Sequence, residues 1–238
     1  MTTHKLEKLT KVRRSEQKRS YDDACGTAHA LELIGERWAL LVLRELLLGP
    51  RRFSELRADL PGISANVLTQ RLSELEERGL VIRRRLPPPA SVQVYEATEW
   101  GLETTPLIRV LGQWAARSPA HDPTLPLSGV SIMLSFTAML DRERARDFSG
   151  AVAFRFGEAV YVAQVNDGAI KVRRGVEDEG AAVISGDPTA LAAVVYGGAP
   201  DSLLRIEGDR RLAERFFTLF TLPPKAEAPA VEARAAQS

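Results

Sequence analysis

The sequence predicts a mainly α front half closed by a two-stranded ribbon, followed by an α+β back half. Three observations lead there. Helical spacing of apolar residues runs from Ala28 to Leu75, broken only by glycine and proline. Two short extended runs then flank the segment PPPAS. After Ser149 the period changes to alternation, punctuated by Gly157-Glu158 and Asn166-Asp167-Gly168.

Composition fits two ordinary domains. The 238 residues are 45% hydrophobic and 26% charged, the balance of a globular chain, and no apolar run reaches the roughly 20 residues of a membrane span. The basic start, MTTHKLEKLTKVRRSEQKRS, has no apolar stretch and is not a secretory signal, so the expected location is cytoplasmic, with no membrane partner. Cys25 is the single cysteine, which excludes an intrachain disulfide and a cysteine-rich metal site. Net charge is +1, but residues 1–117 hold 19 Lys and Arg against 15 Asp and Glu, and residues 118–238 hold 13 against 16. A basic front and an acidic back point to a local anionic partner. Residues 1–20, with Lys5, Lys8, Lys11, Arg13, Arg14, Lys18 and Arg19, read either as a flexible solubilising tail or as an arm on that partner.

Between Ala28 and Leu48, Gly35 separates two helices, and Gly49-Pro50 ends the second. Phe53 to Leu60 is a short helix with Ser54 as its expected N-cap, turned by Pro61-Gly62. Ser64 caps the next helix, whose buried stripe is Leu68, Leu72 and Leu75, and Gly79 closes it in a left-handed cap. The extended runs are Leu80 to Leu86 and Val92 to Ala97. A final helix carries Leu107, Val110, Leu111 and Trp114 on one face, with Thr105 expected to cap a fresh start at Pro106. The stretch SPAHDPTLPLS, residues 118–128, is the expected linker between domains at 21–117 and 129–222.

In the back half a helix from Val130 to Leu140 precedes strands AVAFRF, AVYVAQV and AIKVRR, a meander that Ala181 to Ser185 is expected to continue. Asp187 caps a helix with Pro188 in its first turn and Gly197-Gly198 at its end. A strand, LLRIE, leads through Gly208-Asp209 to the helix RRLAERFFTLF. Residues 223–238 read as a disordered tail.

Short helix, turn, second helix and ribbon make a helix-turn-helix with a wing. In that geometry the second helix offers its exposed N-terminal residues to base edges in the major groove of double-stranded DNA. Ser64, Asn66, Thr69 and Gln70 are hydrogen-bonding types suited to bases and phosphates, and Arg71 has the reach for guanine or a phosphate. Arg83, Arg84 and Arg85 lead up the wing, and strand alternation sends at least one of them towards the DNA backbone or minor groove. Ordinary solvated residues on an amphipathic helix are the competing reading for Asn66, Thr69 and Gln70.

Cys25 with ALELIGERWALLVLRELLLGPRRFSELRADLPGISANVLTQRLSELEERGLV and VYEATEWG resembles the HxlR-type winged helix-turn-helix regulators of bacteria, over about residues 24–117. The resemblance implies a homodimeric transcription factor paired through its first and last helices, here the faces of Leu31 and of Leu107, Val110, Leu111 and Trp114. Relatives often carry lysine or arginine where this chain has Asn66, so base preference does not transfer. It also implies a sensing role for Cys25, since relatives place a cysteine before the first helix. Asp22 and Asp23 beside it are expected to oppose thiolate formation, and an inert residue at a helix entrance is the competing reading.

From about Leu134 to Leu222 the hairpin VNDGAIKVRRG, the segment ISGDPTALAAVVYGG and RIEGDRRLAERFF resemble the sterol carrier protein fold. That resemblance implies an apolar cavity for a small hydrophobic or lipid-like ligand. Its lining would be Phe136, Met139, Phe154, Phe156, Tyr161, Val194, Tyr196, Phe216, Phe217 and Phe220; a filled core in a structural or dimerisation domain is the alternative.

No catalytic constellation is present. His4, His29 and His121 are scattered, HExxH, GxGxxG and GxxxxGK are missing, and GISAN departs from a nucleophile elbow at its last residue. The SxxK of Ser15 to Lys18 sits in a charged tail. The sequence therefore predicts a dimeric repressor on an inverted repeat, with no cofactor and no metal, responsive to a hydrophobic effector. A Cys25 redox switch and a lipid carrier with a non-specific DNA module are the rivals.

Overall fold

The computed structural model describes residues 20–227, and the basic residues 1–19, whose reading as a tail or an arm falls there, and residues 228–238 lie outside them. Chain contacts divide it into two compact units. Of the described residues, the first unit runs to Leu102 without Leu47–Gly49, and the second comprises Leu47–Gly49 and those from Glu103 onward. Among the described residues no helix is long and apolar enough to cross a membrane.

The first unit contains α1 (Gly26–Ile34), α2 (Ala39–Leu46), α3 (Phe53–Asp59), α4 (Ala65–Glu77), β1 (Val81–Arg85), β2 (Gln93–Ala97) and α5 (Glu99–Leu102). This is a winged helix-turn-helix. Leu68, Leu72 and Leu75 of α4 are fully buried with Leu43, Leu46 and Leu56, each stabilising the unit by about 2 kcal/mol. The first end of α4 is fixed by Ser64, whose Oγ accepts from the Val67 N–H at 3.3 Å. At the other end Gly79 takes φ +73°. The Leu80 N–H then reaches the Leu75 carbonyl at 2.9 Å and the Gly79 N–H reaches Glu76 at 3.0 Å, a Schellman cap.

One capping expectation changes in this unit. The N-cap of α3 is Arg52, not Ser54, because the Glu55 carboxylate accepts from the Arg52 N–H at 2.9 Å and starts the helix two residues earlier than a Ser54 cap would. Trp38 lies in the joint before α2 at φ +77°, and its ring lies 3.9 Å from where a Cβ on Gly62 would sit. In the wing β1 and β2 pair antiparallel from Val81↔Ala97 to Arg85↔Gln93. Arg51 adds a bridge on the other side of β2, exchanging both backbone bonds with Tyr95 at 2.8 and 2.9 Å.

The second unit begins with α6 (Thr105–Ala116), which packs on α7 (Gly129–Met139). It continues with β3 (Gly150–Phe156), β4 (Ala159–Asn166), β5 (Ala169–Arg174), β6 (Ala182–Ser185), α8 (Pro188–Gly197), β7 (Arg205–Gly208) and α9 (Arg210–Phe217). The N-cap position of α6 is Thr104, and Pro106 sits in the first turn, where its missing N–H costs nothing. Contacts put α6 with the second unit, whereas the sequence expectation ended the first domain at 117. The physical reason is that Ile108 and Ala116 join the core around α7, and the Gln113 amide donates to the Ala138 carbonyl.

The sheet order is β5-β4-β3-β6-β7, with β3 and β6 parallel and the other pairs antiparallel. The meander thus ends at β5. Strand β6 does not continue it; a short 3₁₀ turn over Glu177–Glu179 carries the chain back to the far side of β3. Alternation marks a strand but not its neighbour, which is why the expectation failed here. The tail expectation also changes in part: the Lys225 ammonium donates to the carbonyls of Ala116, Ser118 and His121, and the Ala226 N–H to Arg117 at 2.7 Å.

The ten residues expected to line a cavity instead build the core. Phe136 stacks on Phe220 at 4.4 Å between centroids and meets Phe216 edge-on at 5.4 Å, and Phe154 touches both Phe136 and Phe216. Met139, Tyr161 and Phe217 are buried in the same cluster, and Phe156, Val194 and Tyr196 pack against it. Ser135 and Tyr196 share a 2.8 Å hydrogen bond, and burial pushes the Tyr196 phenol far above its usual pKa. Rings at these separations fill space by dispersion rather than enclose a ligand.

Candidate nucleic-acid interface

The exposed side of α4 begins at its cap. Asn66, Thr69 and Gln70 are all exposed on the first turns while Leu68 and Leu72 point inward. Their polar groups differ in freedom. Thr69 Oγ1 donates to the Ala65 carbonyl at 2.9 Å, and Gln70 Nε2 donates to Glu74 Oε1 at 3.0 Å, leaving the Gln70 carbonyl outward. Asn66 carries both an amide donor and an acceptor into solvent. Ser64 is committed to the cap as an acceptor, so its hydroxyl proton is what it has to offer an anion.

Arg71 does not belong to this surface. It is 6% exposed and lies between Glu36 at 3.2 Å and Glu74 at 2.8 Å, tying α4 to the segment after α1. Reading its charge as a DNA contact was the error, because a helix position one step past Gln70 has already turned inward. Arg51 is a second buried cation that the sequence did not flag. It is held by Asp59 and by Glu55 at 3.3 Å, where it ties the strand-like residue before α3 to that helix.

The wing is exposed as expected, and more fully. Arg83, Arg84 and Arg85 are all solvent-facing, because β1 beyond Val81 buries neither face. Arg84 is paired with Glu96 across the strands, which raises its pKa and fixes its head. Arg85 Nε donates to the Ser91 carbonyl at 3.0 Å, and Arg83 sits 3.8 Å from Glu76. Arg52 and Arg57 on α3 are also exposed and add to the basic surface of the motif.

The expected dimerisation residues are all uncovered in the single chain. Leu31 on α1 is exposed, as are Leu107, Val110, Leu111 and, at 72%, Trp114 on α6. Four large apolar residues on one helix stripe are more than a solvated helix ordinarily shows. Cys25 occupies the N-cap of α1 and is exposed. Its pKa is lowered, first by the Thr27 backbone N–H, then by that of Ala28 and by the Thr27 hydroxyl. The hydrogen bonds outweigh the expected opposition from its neighbours, and Asp23 Oδ1 accepts the Cys25 backbone N–H at 2.9 Å.

Capped second helix, outward polar residues and an arginine-bearing wing define the helix-turn-helix class. This chain belongs to the HxlR-like helix-turn-helix family, whose model matches residues 33–122. It is 38% identical over 87 residues to the HTH-type transcriptional regulator YvaP of Bacillus subtilis strain 168, covering 36% of this chain and 80% of YvaP. It is 40% identical over 94 residues to YkvN of the same organism, covering 38% and 77%. The reduced form of the transcriptional regulator YodB from B. subtilis aligns at 32% identity over 42% of this chain and 100% of that one, with a TM-score of 0.37.

Proposed function

We propose that this chain is a sequence-specific regulator of transcription that binds double-stranded DNA as a homodimer and acts as a repressor on an inverted repeat. One observation carries the reading: α4 turns Asn66, Thr69 and Gln70 outward from a fully packed helix while the adjoining ribbon exposes Arg83, Arg84 and Arg85. The polar side chains supply base contacts, and the arginines hold phosphates. Pairing through the uncovered stripes of α1 and α6 would give two such surfaces related by a twofold axis, matching half-sites about one DNA turn apart. The second unit is read as sterol-carrier-protein-like on its element order, and it supplies the effector side of the regulator.

DNA selection from a genomic library with the full-length protein, followed by footprinting, tests this. The expected result is a protected inverted repeat. Asn66→Ala should cost about 1–3 kcal/mol on that repeat and relax its sequence at one position per half-site. Recovery of random fragments, with Asn66→Ala indistinguishable from the parent, would refute it.

A second reading is favoured by the geometry at Cys25. An exposed thiol at a helix N-cap, with backbone N–H groups stabilising its anion, is suited to oxidation or alkylation as the signal that releases DNA. Cys25→Ser abolishes an oxidant-driven switch and leaves an effector-driven one intact.

A further inference from the structure

We propose that the second unit binds an organic anion with an apolar body in the cleft bounded by α6, α7 and the edge strand β5. The cleft has a volume of 1010 Å³, enough for a small amphiphile, and all of its walls belong to the second unit. It contains none of the ten aromatic and apolar residues of the core described above.

Charge identifies the occupant. Several arginines of this unit are matched to carboxylates, Arg144 to Asp141, Arg155 to Glu177, Arg205 to Glu207 and Arg210 to Asp201, while Arg117, Arg174 and Arg215 donate to neutral oxygens instead. Arg109, Arg142 and Lys171 pair with no carboxylate among the described residues, and all three line this cleft. A fourth lining cation, Arg173, is held by Glu179 from outside the cleft. The walls include no aspartate or glutamate at all, while Leu134 and Ile170 give them an apolar floor. Arg109, Arg142 and Lys171 give the cleft a positive lining without a carboxylate, which favours an anionic head group, and the apolar residues take its hydrocarbon.

The cleft is also built rather than accidental. Gly168 takes φ +70° in the β4–β5 turn, and a Cβ there would lie 3.0 Å from the Arg142 carbonyl, so the glycine lets the Arg142 backbone close against the turn. Pairing of Asn166 with Ala169 and of Gln164 with Lys171 directs the Ile170 and Val172 N–H groups off the free edge of β5, where they can donate to a bound head group. Arg109 stands on α6, the helix whose opposite stripe is uncovered, so a ligand that draws on Arg109 has a physical route to the proposed dimer contact.

Isothermal titration of the full-length protein with decanoate tests the proposal, with decanol as the uncharged body and inorganic phosphate as the bare anion. Decanoate should bind saturably at one per chain, at least about tenfold more tightly than either control. Arg142→Gln and Lys171→Gln, both exposed substitutions, should each weaken it about tenfold and leave the melting temperature unchanged. Absence of saturation by about 1 mM decanoate, equal binding of decanol, or parental affinity in both variants overturns it. The inference deepens the effector-responsive reading and rests on it only for its biological sense. Operator binding without decanoate binding removes the cleft and keeps the regulator, and the converse keeps the cleft and removes the regulator.

Discussion

Replacing Arg71 with alanine separates the structure from the naive reading of its sequence. In the packed unit the guanidinium lies between Glu74, whose side chain is 11% exposed, and Glu36, at 38%. Removing one member of a buried pair costs about 3–5 kcal/mol because the remaining charge stays desolvated. Here Glu36 is open to water and loses little, and Gln70 still donates to one oxygen of Glu74. The expected loss is therefore at the low end, about 2–3 kcal/mol. For a unit of this size that lowers the melting temperature by roughly 10–20 °C, measurable by calorimetry or by urea denaturation followed through the tryptophans. At a temperature where the variant remains folded, operator affinity should stay within about twofold of the parent, since no donor has left the DNA surface. Unchanged stability together with a tenfold loss of affinity would show that Arg71 faces DNA and that the packing argument is wrong.

Two further outcomes follow from the same geometry. The folded protein favours the Cys25 thiolate, so the rate of alkylation should reach half its maximum at a pH below that of an ordinary cysteine. Thr27→Pro, which deletes the N–H contributing most, should move that midpoint upward in a rate–pH profile, and a midpoint that stays put refutes the assignment of cause. Trp114→Glu on the exposed stripe of α6 should change the stability of the single chain by less than about 0.5 kcal/mol yet convert a dimer to monomer in sedimentation equilibrium, with operator affinity lost in step. A variant that remains dimeric places the twofold contact elsewhere.

Much of the front unit is legible because its signals are local. Ser64 before the leucine stripe, Gly79 after it and the prolines at the wing tip each act within a few residues, and each does in the structure what its chemistry predicts. What escaped depends partly on more distant partners. Glu74 and Glu55 stand at helical spacing from Arg71 and Arg51, but burial also needs Glu36 and Asp59. Spacing reports the near partners and not the far ones. The aromatic residues of the back half were expected to line a cavity, and residue type does not distinguish rings that touch from rings that surround a space. Nor does alternation reveal that β6 lies parallel to β3, and the cleft beside β5 became visible only once that strand was known to be an edge.

The allegiance of α6 bears on how this chain may be taken apart. Its proline-rich stretch at 118–128 invites a cut, yet α6 lies upstream of that stretch while Ile108 and Ala116 belong to the core downstream of it. Lys225, near the other end of the described chain, bonds to carbonyls on both sides of the junction at Arg117. A fragment stopping at 117 would therefore carry away a helix that another body needs, and the remainder would show solvent the bare flank of α7. Expression of the second unit by itself calls for a start at or before Glu103.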